Sequence, residues 1–301
     1  MIISEIQSDL HATEIETAIY DRINFNLRAE AIDFIDFHII DRIDGLLQKE
    51  DLKEQLDLLR IRATKLKSWL EQINTDLFQQ LRNKIRTANC KELYFKTLIE
   101  EYLGTYDSYV GQTPRIGYDN LDIFINGLLF DKPIPPATRA TEKEMVLYQK
   151  TPARIIFEMV ETAKIKQDDV FFDLGSGIGQ AVLLVNLLSG VTAKGIEYEP
   201  AYCDYARASA SALNLSNVEF ITADAREADY SQATIFFMYT PFEGKMLQDM
   251  LNILQKVSQS RAIKIFSYGP CSTYLAQQNW LSCINGKAGD PYKLYEFRTF
   301  A

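Results

Sequence analysis

Hydrophobic residues in the N-terminal third of the chain recur at steps of three and four, the spacing of one face of an α-helix. One series is Ile32, Ile35, Ile39, Ile43 and Leu46. A longer series with alternating steps of four and three is Leu52, Leu56, Leu59, Ala63, Leu66, Leu70, Ile73 and Leu77. This heptad seam predicts an antiparallel helical bundle that buries it within one chain, or a dimerising coiled coil. We favour the bundle because the seam is short.

The pattern changes near residue 146, where short apolar runs alternate with amphipathic stretches. The runs DVFFDL, TAKGIEY, NVEFIT, ATIFFMY and AIKIFSY are predicted strands, and the stretches between them include three longer helices. Strands that alternate with helices indicate a parallel, doubly wound sheet with right-handed crossovers. Near the C-terminus, WLSCIN and YKLYEFRTF flank a turn and predict an antiparallel pair. We therefore expect an α/β, Rossmann-like sheet of seven strands, mostly parallel, with an antiparallel C-terminal strand.

Three regions follow from these patterns. Residues 1–112 form the predicted helical N-terminal domain, 113–145 a connector, and 146–301 the sheet domain. The connector contains DKPIPPATRATEKE, whose three prolines favour extended or turn conformations. Within it, NLDIFINGLLF is predicted to be a short docked helix.

Composition removes several classes of function. The net charge of -9 and the pI of about 5.0 argue against binding a polyanion by charge alone. The two histidines, His11 and His38, lie near the N-terminus, so the sheet domain has no histidine base and no histidine metal ligand. No metal site is therefore predicted, and Ser-His-Asp hydrolysis is excluded. With no signal peptide and no run of ~20 apolar residues, we expect a cytoplasmic protein that does not enter the membrane.

The most informative stretch is VFFDLGSGIGQ, residues 170–180. Dinucleotide sites require G-x-G-x-x-G/A, and Gln180 fails at the third small position. Asp173 at the strand end would repel a pyrophosphate, but it suits the positively charged amino-acid half of S-adenosyl-L-methionine. The loop Gly175, Ser176, Gly177, Gly179 and Gln180 therefore predicts a site for that cofactor, with a dinucleotide site or a structural turn as alternatives.

Two further acids follow the next strands. Glu197, in GIEYEP, is placed to accept hydrogen bonds from both ribose hydroxyls. Asp224, in ITADAR, is placed to accept from the adenine amino group, with the Ala225 N–H directed at the ring. A loop or helix-capping role for Asp224 is the alternative.

Taken together, these residues resemble a class I S-adenosylmethionine-dependent methyltransferase, and most closely the core of the disruptor-of-telomeric-silencing type of histone-lysine methyltransferase. The resemblance is carried by YQKTPARIIFEMV (148–160), DDVFFDLGSGIGQAVLLV (168–185) and GIE (195–197). That family has a Tyr-x-x-Thr segment at the same distance before its glycine loop. The resemblance implies that Tyr148, Gln149, Lys150 and Thr151 close over the methionine end of the cofactor.

The chain departs from that family after the fourth strand, where FFMYTPFEG replaces a pair of asparagines. The segment is closer to the motif of methyltransferases that act on amino or amide nitrogens. The predicted catalytic residues are Tyr239, Thr240 and Phe242. Phe242 would form an apolar wall that disfavours an ammonium. The Tyr239 hydroxyl and the carbonyls of Thr240 and Pro241 would orient the acceptor nitrogen. Packing at the sheet end is the alternative role for Tyr239 and Phe242.

The favoured function is methyl transfer to a lysine-like nitrogen of a protein, with a small-molecule substrate as an alternative. The acidic chain lacks that family's basic extension, so nucleosome binding is not expected. A non-catalytic module that binds the cofactor or a partner, and a nicotinamide dehydrogenase, are the competing hypotheses. The sequence alone makes no prediction of oligomeric state.

Overall fold

The computed structural model describes residues 2–47, 53–88, 91–105 and 117–299. Leu52 and the predicted boundary between residues 112 and 113 lie outside these ranges. None of the helices in them is long and apolar enough to cross a membrane.

A seven-stranded sheet forms the centre of the C-terminal part, in the order β3-β2-β1-β4-β5-β7-β6. Strands β1 to β5 are parallel, and β7 runs antiparallel to both of its neighbours, which confirms the predicted sheet. The strands are β1 (Val170–Leu174), β2 (Thr192–Glu197), β3 (Val218–Thr222), β4 (Ile235–Tyr239), β5 (Lys264–Tyr268), β6 (Leu281–Cys283) and β7 (Tyr295–Thr299). The strand order reverses between β1 and β4, and a crevice for a ligand opens at their carboxyl ends in sheets of this type.

Helices cover both faces of the sheet and build the N-terminal part. They are α1 (Ile2–Ile15), α2 (Phe25–Phe34), α3 (Asp41–Leu46), α4 (Lys53–Thr87), α5 (Lys91–Leu103), α6 (Asn120–Leu129), α7 (Ala153–Ala163), α8 (Gln180–Ser189), α9 (Pro200–Ala212), α10 (Gly244–Ser258) and α11 (Cys271–Leu275). A π-helical turn, Ile35–Ile40, joins α2 to α3.

The heptad seam packs within the chain, as the favoured interpretation predicts. In α4, Leu56, Leu59, Ala63, Leu66 and Leu70 are buried in one cluster with residues of α1 and the π-helical turn. The C-terminal half of α4 belongs to a different core: Leu77, Phe78, Leu81 and Ile85 share a cluster with α5, α6 and the buried face of α8. The helical region and the sheet are thus joined by a common hydrophobic core.

A buried cation stabilises the junction of α2 with α4. Arg28 is 0% exposed, and its Nε donates to Oδ1 of Asn74 at 2.6 Å. Its terminal nitrogens donate to the carbonyls of Ile19, Asp21 and Arg22. Burial lowers the pKa of Arg28 to about 10, so the guanidinium remains charged at neutral pH.

Between α6 and α7 the chain crosses the carboxyl edge of the sheet in an irregular conformation. We call residues 131–150 the strap. Met145 forms an antiparallel bridge with Phe242, and the Val146 N–H donates to the Pro241 carbonyl at 3.2 Å. The strap therefore lies against the end of β4.

Candidate active site

A cavity of about 560 Å³ opens at the carboxyl ends of the parallel strands, beneath the strap. Most of the residues predicted from the sequence line it: Tyr148, Gln149, Thr151, Asp173, Gly175, Ser176, Gln180, Glu197, Ala225, Tyr239, Thr240 and Phe242. In the described part of the chain, the predicted residues that do not reach the wall are Lys150, Gly177, Gly179 and Asp224. The volume is that of a typical small-molecule site.

Asp173 lies at the floor of this cavity. It is near the end of β1 and only 5% exposed. Burial, with a smaller contribution from the charge of Glu197, raises the pKa of Asp173 to about 8. A buried acid with such a pKa gains from a cationic partner, because a nearby positive charge favours the ionised carboxylate.

The glycine loop after β1 brings its backbone close to the cavity. Gly175 has φ +77°, and a Cβ there would lie 2.6 Å from Cβ of Pro241. Two buried polar atoms beside the loop, Ser176 Oγ and Gln180 Oε1, have no hydrogen-bond partner within the described residues. Buried polar groups without partners are costly. These atoms fit a ligand that carries its own donors and acceptors, such as an amino acid.

The Tyr-x-x-Thr segment lies against this loop. A Cβ on Gly177, whose φ is +52°, would overlap the Tyr148 ring, so only glycine leaves room for the tyrosine. The Tyr148 ring also contacts Tyr202, with centroids 5.4 Å apart. Gln180 Nε2 donates to the Thr151 carbonyl at 3.0 Å and fixes the end of the segment to α8.

Glu197 follows the glycine loop around the cavity. Its Oε2 accepts from the Gly177 N–H at 2.7 Å and its Oε1 from the Glu199 N–H at 2.8 Å. Burial raises the pKa of Glu197 despite these bonds. A carboxylate can accept about four hydrogen bonds, so each oxygen retains a lone pair for a ligand hydroxyl.

Asp224 is placed differently from Glu197. Its carboxylate accepts from both Nε and the backbone N–H of Arg226, and it caps the short 3₁₀ turn Ala225–Glu227. The hydrogen bond from the Arg226 side chain lowers the pKa of Asp224. The neighbouring Ala223 and Ala225 line the cavity, whereas the Asp224 side chain is directed toward Arg226.

Sequence reasoning missed Glu199, which holds the strap in place. Its carboxylate accepts from the backbone N–H groups of Thr138 and Arg139, each at 2.8 Å, and from the Ala201 N–H. Burial alone would raise its pKa, but these bonds and the Thr138 hydroxyl lower the pKa of Glu199 to about 2. Its position just before Pro200 signals a helix cap, and nothing in the sequence indicates the partner segment 61 residues earlier.

Tyrosines at the ends of β4 and β5 line the cavity. The rings of Tyr239 and Tyr268, which are register partners in β4 and β5, have centroids 5.0 Å apart. The half-exposed Tyr292 lies on the same wall. Burial raises the pKa of Tyr239 to about 12, so its hydroxyl stays neutral and can accept or donate a hydrogen bond but is no base at neutral pH. Tyr268 and Tyr292 were not predicted from the sequence.

Thr240 and Phe242 support this wall. Thr240 has φ +41°, and its hydroxyl donates to the Tyr268 carbonyl and accepts from the Cys271 N–H, each at 3.3 Å. Phe242 is 7% exposed and combines a place on the cavity wall with packing in the hydrophobic cluster of α10. Among the described residues that line the cavity there is no histidine, lysine or cysteine.

One family model matches part of the chain. Residues 139–270 match the family model described as "Histone methylation protein DOT1", which is less than half of the 301 residues. The matched segment contains most of the strap, the glycine loop and strands β1 to β5. A comparison with curated proteins gives no match.

Among solved structures, an RNA methyltransferase from Salinibacter ruber in complex with S-adenosyl-L-homocysteine is 26% identical, with 50% of this chain and 92% of that chain covered and a TM-score of 0.40. A precorrin-6y C5,15-methyltransferase from Geobacter metallireducens is 16% identical, with 54% and 92% covered and a TM-score of 0.38. A SAM-dependent methyltransferase from Geobacter sulfurreducens in complex with S-adenosyl-L-homocysteine is 19% identical, with 42% of this chain and 54% of that chain covered and a TM-score of 0.33.

The family match falls on the residues that build the cavity, and the sheet has the seven-stranded order with one reversed strand. Residues 139–270 are therefore similar to the core of the DOT1 family, and they carry a sheet order and a cavity typical of a class I S-adenosylmethionine-dependent methyltransferase.

Proposed function

We propose that this methyltransferase transfers the methyl group to a lysine-like nitrogen on a protein acceptor. The observation that carries the proposal is the group of three tyrosines, Tyr239, Tyr268 and Tyr292, in the cavity lining, which we call the tyrosine wall. The apolar surface of these rings disfavours an ammonium and favours the neutral amine, which is the form that reacts.

The cofactor would lie between Asp173, the glycine loop and Glu197, and when bound it supplies an electrophilic methyl group. Asp173 would hold its ammonium, the unpaired Ser176 Oγ and Gln180 Oε1 would bond its amino-acid half, and Glu197 would accept from its ribose. In this arrangement the protein contributes alignment, which is worth up to ~7–11 kcal/mol for a well-oriented pair.

The acceptor must lose a proton before it reacts. A free lysine has a pKa near 10.4, so deprotonation at pH 7 costs about 4–5 kcal/mol. With no histidine, lysine or cysteine among the described wall residues, the tyrosine wall would lower this cost by disfavouring the ammonium, and the proton would pass to solvent. The neutral Tyr239 hydroxyl would then orient the nitrogen.

A protein acceptor is favoured by the rim of the cavity. Leu147 is 79% exposed, Val146 40% and Tyr292 50%, and all three line the cavity. Exposed apolar side chains around an open mouth are typical of a surface that meets a protein. Glu243 also lines the cavity, and an acid there suits a basic segment, whereas the net charge of -9 does not suit RNA.

The proposal is tested by offering methyl-labelled S-adenosylmethionine and a heat-treated cell extract to the protein, with the Asp173→Asn variant as the control. We expect label in a fraction that protease destroys and ribonuclease leaves intact, and N-methyllysine after acid hydrolysis. Label in RNA or in small molecules would contradict the acceptor assignment. Cofactor binding without label in any fraction would favour a non-catalytic module.

A further inference from the structure

Arg226 connects the strap to the end of β3. Its Nη2 lies 3.2 Å from both carboxylate oxygens of Glu142, in the strap. The same nitrogen donates to Asp224 Oδ2 at 2.5 Å, and Nε lies 3.0 Å from Asp224 Oδ1. One guanidinium therefore joins two carboxylates that are 82 positions apart in the sequence.

The Asp224 carboxylate is largely saturated by Arg226. Oδ1 accepts from the Arg226 backbone N–H at 2.8 Å and from Nε, while Oδ2 accepts from Nε and Nη2. Since a carboxylate accepts about four hydrogen bonds, little capacity is left for a ligand. The side chain is 16% exposed, but it is not among the described residues of the cavity wall, which includes its neighbours Ala223 and Ala225.

We infer that Asp224 is a positioning residue, which acts on the cofactor by orienting Arg226 so that Arg226 fastens the strap through Glu142. This assignment rests on the proposed cofactor site and replaces the direct contact with adenine that the sequence predicts. We call the chain of contacts Asp224–Arg226–Glu142 the relay. It holds the strap near the wall formed by Ala223 and Ala225, and Glu199 holds the strap near Glu197.

The two halves of the relay differ in exposure. The Arg226 side chain is 29% exposed and that of Glu142 48% exposed. An exposed ion pair contributes little by itself. The contact with Glu142 is therefore the weak step, and removal of Glu142 should loosen the strap locally, without disturbing Asp224, while Glu199 and the bridge to Phe242 still hold it.

The first experiment measures hydrogen exchange of the strap in the ligand-free protein. Glu142→Gln and Asp224→Asn are expected to speed exchange of the Val146 N–H at least threefold, because both interrupt the relay. Glu227→Gln is the matched control, since Glu227 is an exposed acid on the same 3₁₀ turn. Equal exchange in all four proteins would overturn the inference.

The second experiment asks whether Asp224 contacts adenine. Calorimetry compares S-adenosylhomocysteine with its analogue in which purine, without the 6-amino group, replaces adenine. The relay predicts that Asp224→Asn and Glu142→Gln weaken both compounds by a similar factor, roughly three- to tenfold, and leave the ratio of the two affinities unchanged. The double variant should be no weaker than Asp224→Asn alone, because both changes break one relay.

The affinity ratio of S-adenosylhomocysteine to its purine analogue is the decisive quantity. If this ratio falls toward one in Asp224→Asn but not in Glu142→Gln, Asp224 contacts adenine directly and the inference is overturned. Arg226→Lys keeps the charge but loses the planar guanidinium that reaches both carboxylates, so it should behave like Glu142→Gln. If Arg226→Lys behaves like the wild type, the result also counts against the relay. If the wild type binds neither compound, the proposed function fails, whereas the exchange experiment still reports on the relay.

Discussion

The ring of Tyr148 lies on Gly177, so that any side chain at position 177 would overlap the ring. This contact joins the two sequence motifs that carry the family resemblance. The chain between the two motifs contains α7 and β1, which bring the tyrosine back to the loop. The middle glycine thus serves to seat the tyrosine and does not itself line the cavity.

Replacement of Gly177 by alanine should therefore weaken cofactor binding. The new methyl group would displace the Tyr148 ring, and the backbone at φ +52° disfavours alanine. We expect about a tenfold loss of affinity for S-adenosylhomocysteine, or ~1.4 kcal/mol, by calorimetry. The matched control is Gly289→Ala, where a Cβ would meet nothing within 4 Å. Equal affinities in both variants would show that Tyr148 does not shape the site.

Cofactor affinity should depend on pH through Asp173. Its pKa of about 8 means that the free site is mostly protonated at pH 6.5, while an ammonium ligand requires the ionised form. Affinity for S-adenosylhomocysteine should rise roughly tenfold from pH 6.5 to 8, with release of a proton on binding at the lower pH. Calorimetry in buffers of different ionisation enthalpy measures that proton.

The free energy of unfolding should depend on pH in the opposite direction from cofactor affinity. Because the pKa of Asp173 is raised in the folded protein, its contribution is present below pH 4 and is lost as pH rises through about 8. Asp173→Asn should flatten both profiles. A pH-independent affinity in the wild type would show that no proton leaves Asp173 when the ligand binds.

Removal of the Tyr239 hydroxyl should slow methyl transfer without weakening the cofactor. One lost hydrogen bond to the acceptor nitrogen corresponds to roughly a three- to tenfold lower single-turnover rate for Tyr239→Phe. Tyr274→Phe, an exposed residue away from the cavity wall, is the control. An unchanged rate would leave Tyr239 with a packing role only.

The buried Arg28 makes a prediction about stability. Asn74→Ala leaves Nε of Arg28 without its side-chain acceptor, in a place that water does not reach. We expect the free energy of unfolding in urea to fall by about 1–3 kcal/mol at pH 7. Lys65→Ala, on the exposed face of the same helix, should change it by less than about 0.5 kcal/mol. Equal stabilities would mean that the backbone carbonyls alone satisfy the guanidinium.

The sheet could be predicted from the sequence because each strand carries its own signal. Phe171 and Phe172 in β1, or Phe236 and Phe237 in β4, form apolar runs too short for helices, and the glycine loop marks the end of β1. The acid and glycine residues of the loop are local in sequence, so spacing alone predicts that they lie together at the end of β1. The same holds for the seam of α4, which packs as its heptads indicate.

The rest of the site depends on contacts between distant segments. The bonds from Glu199 to the strap and from Arg226 to Glu142 join residues that no periodicity relates. Tyr268 reaches the cavity because β5 pairs with β4 in a register that the sequence does not specify. The position of Asp224 after β3 predicts a contact with adenine, and only the structure shows that Arg226 already occupies its carboxylate.

The most direct test of the central claim is a calorimetric titration with S-adenosylmethionine at pH 8, using the wild type, Asp173→Asn and the exposed control Asp168→Asn. The account predicts saturable binding of one cofactor per chain, an affinity at least tenfold lower for Asp173→Asn, and no change for Asp168→Asn. Absence of binding to the wild type, or equal affinity in all three proteins, would contradict it.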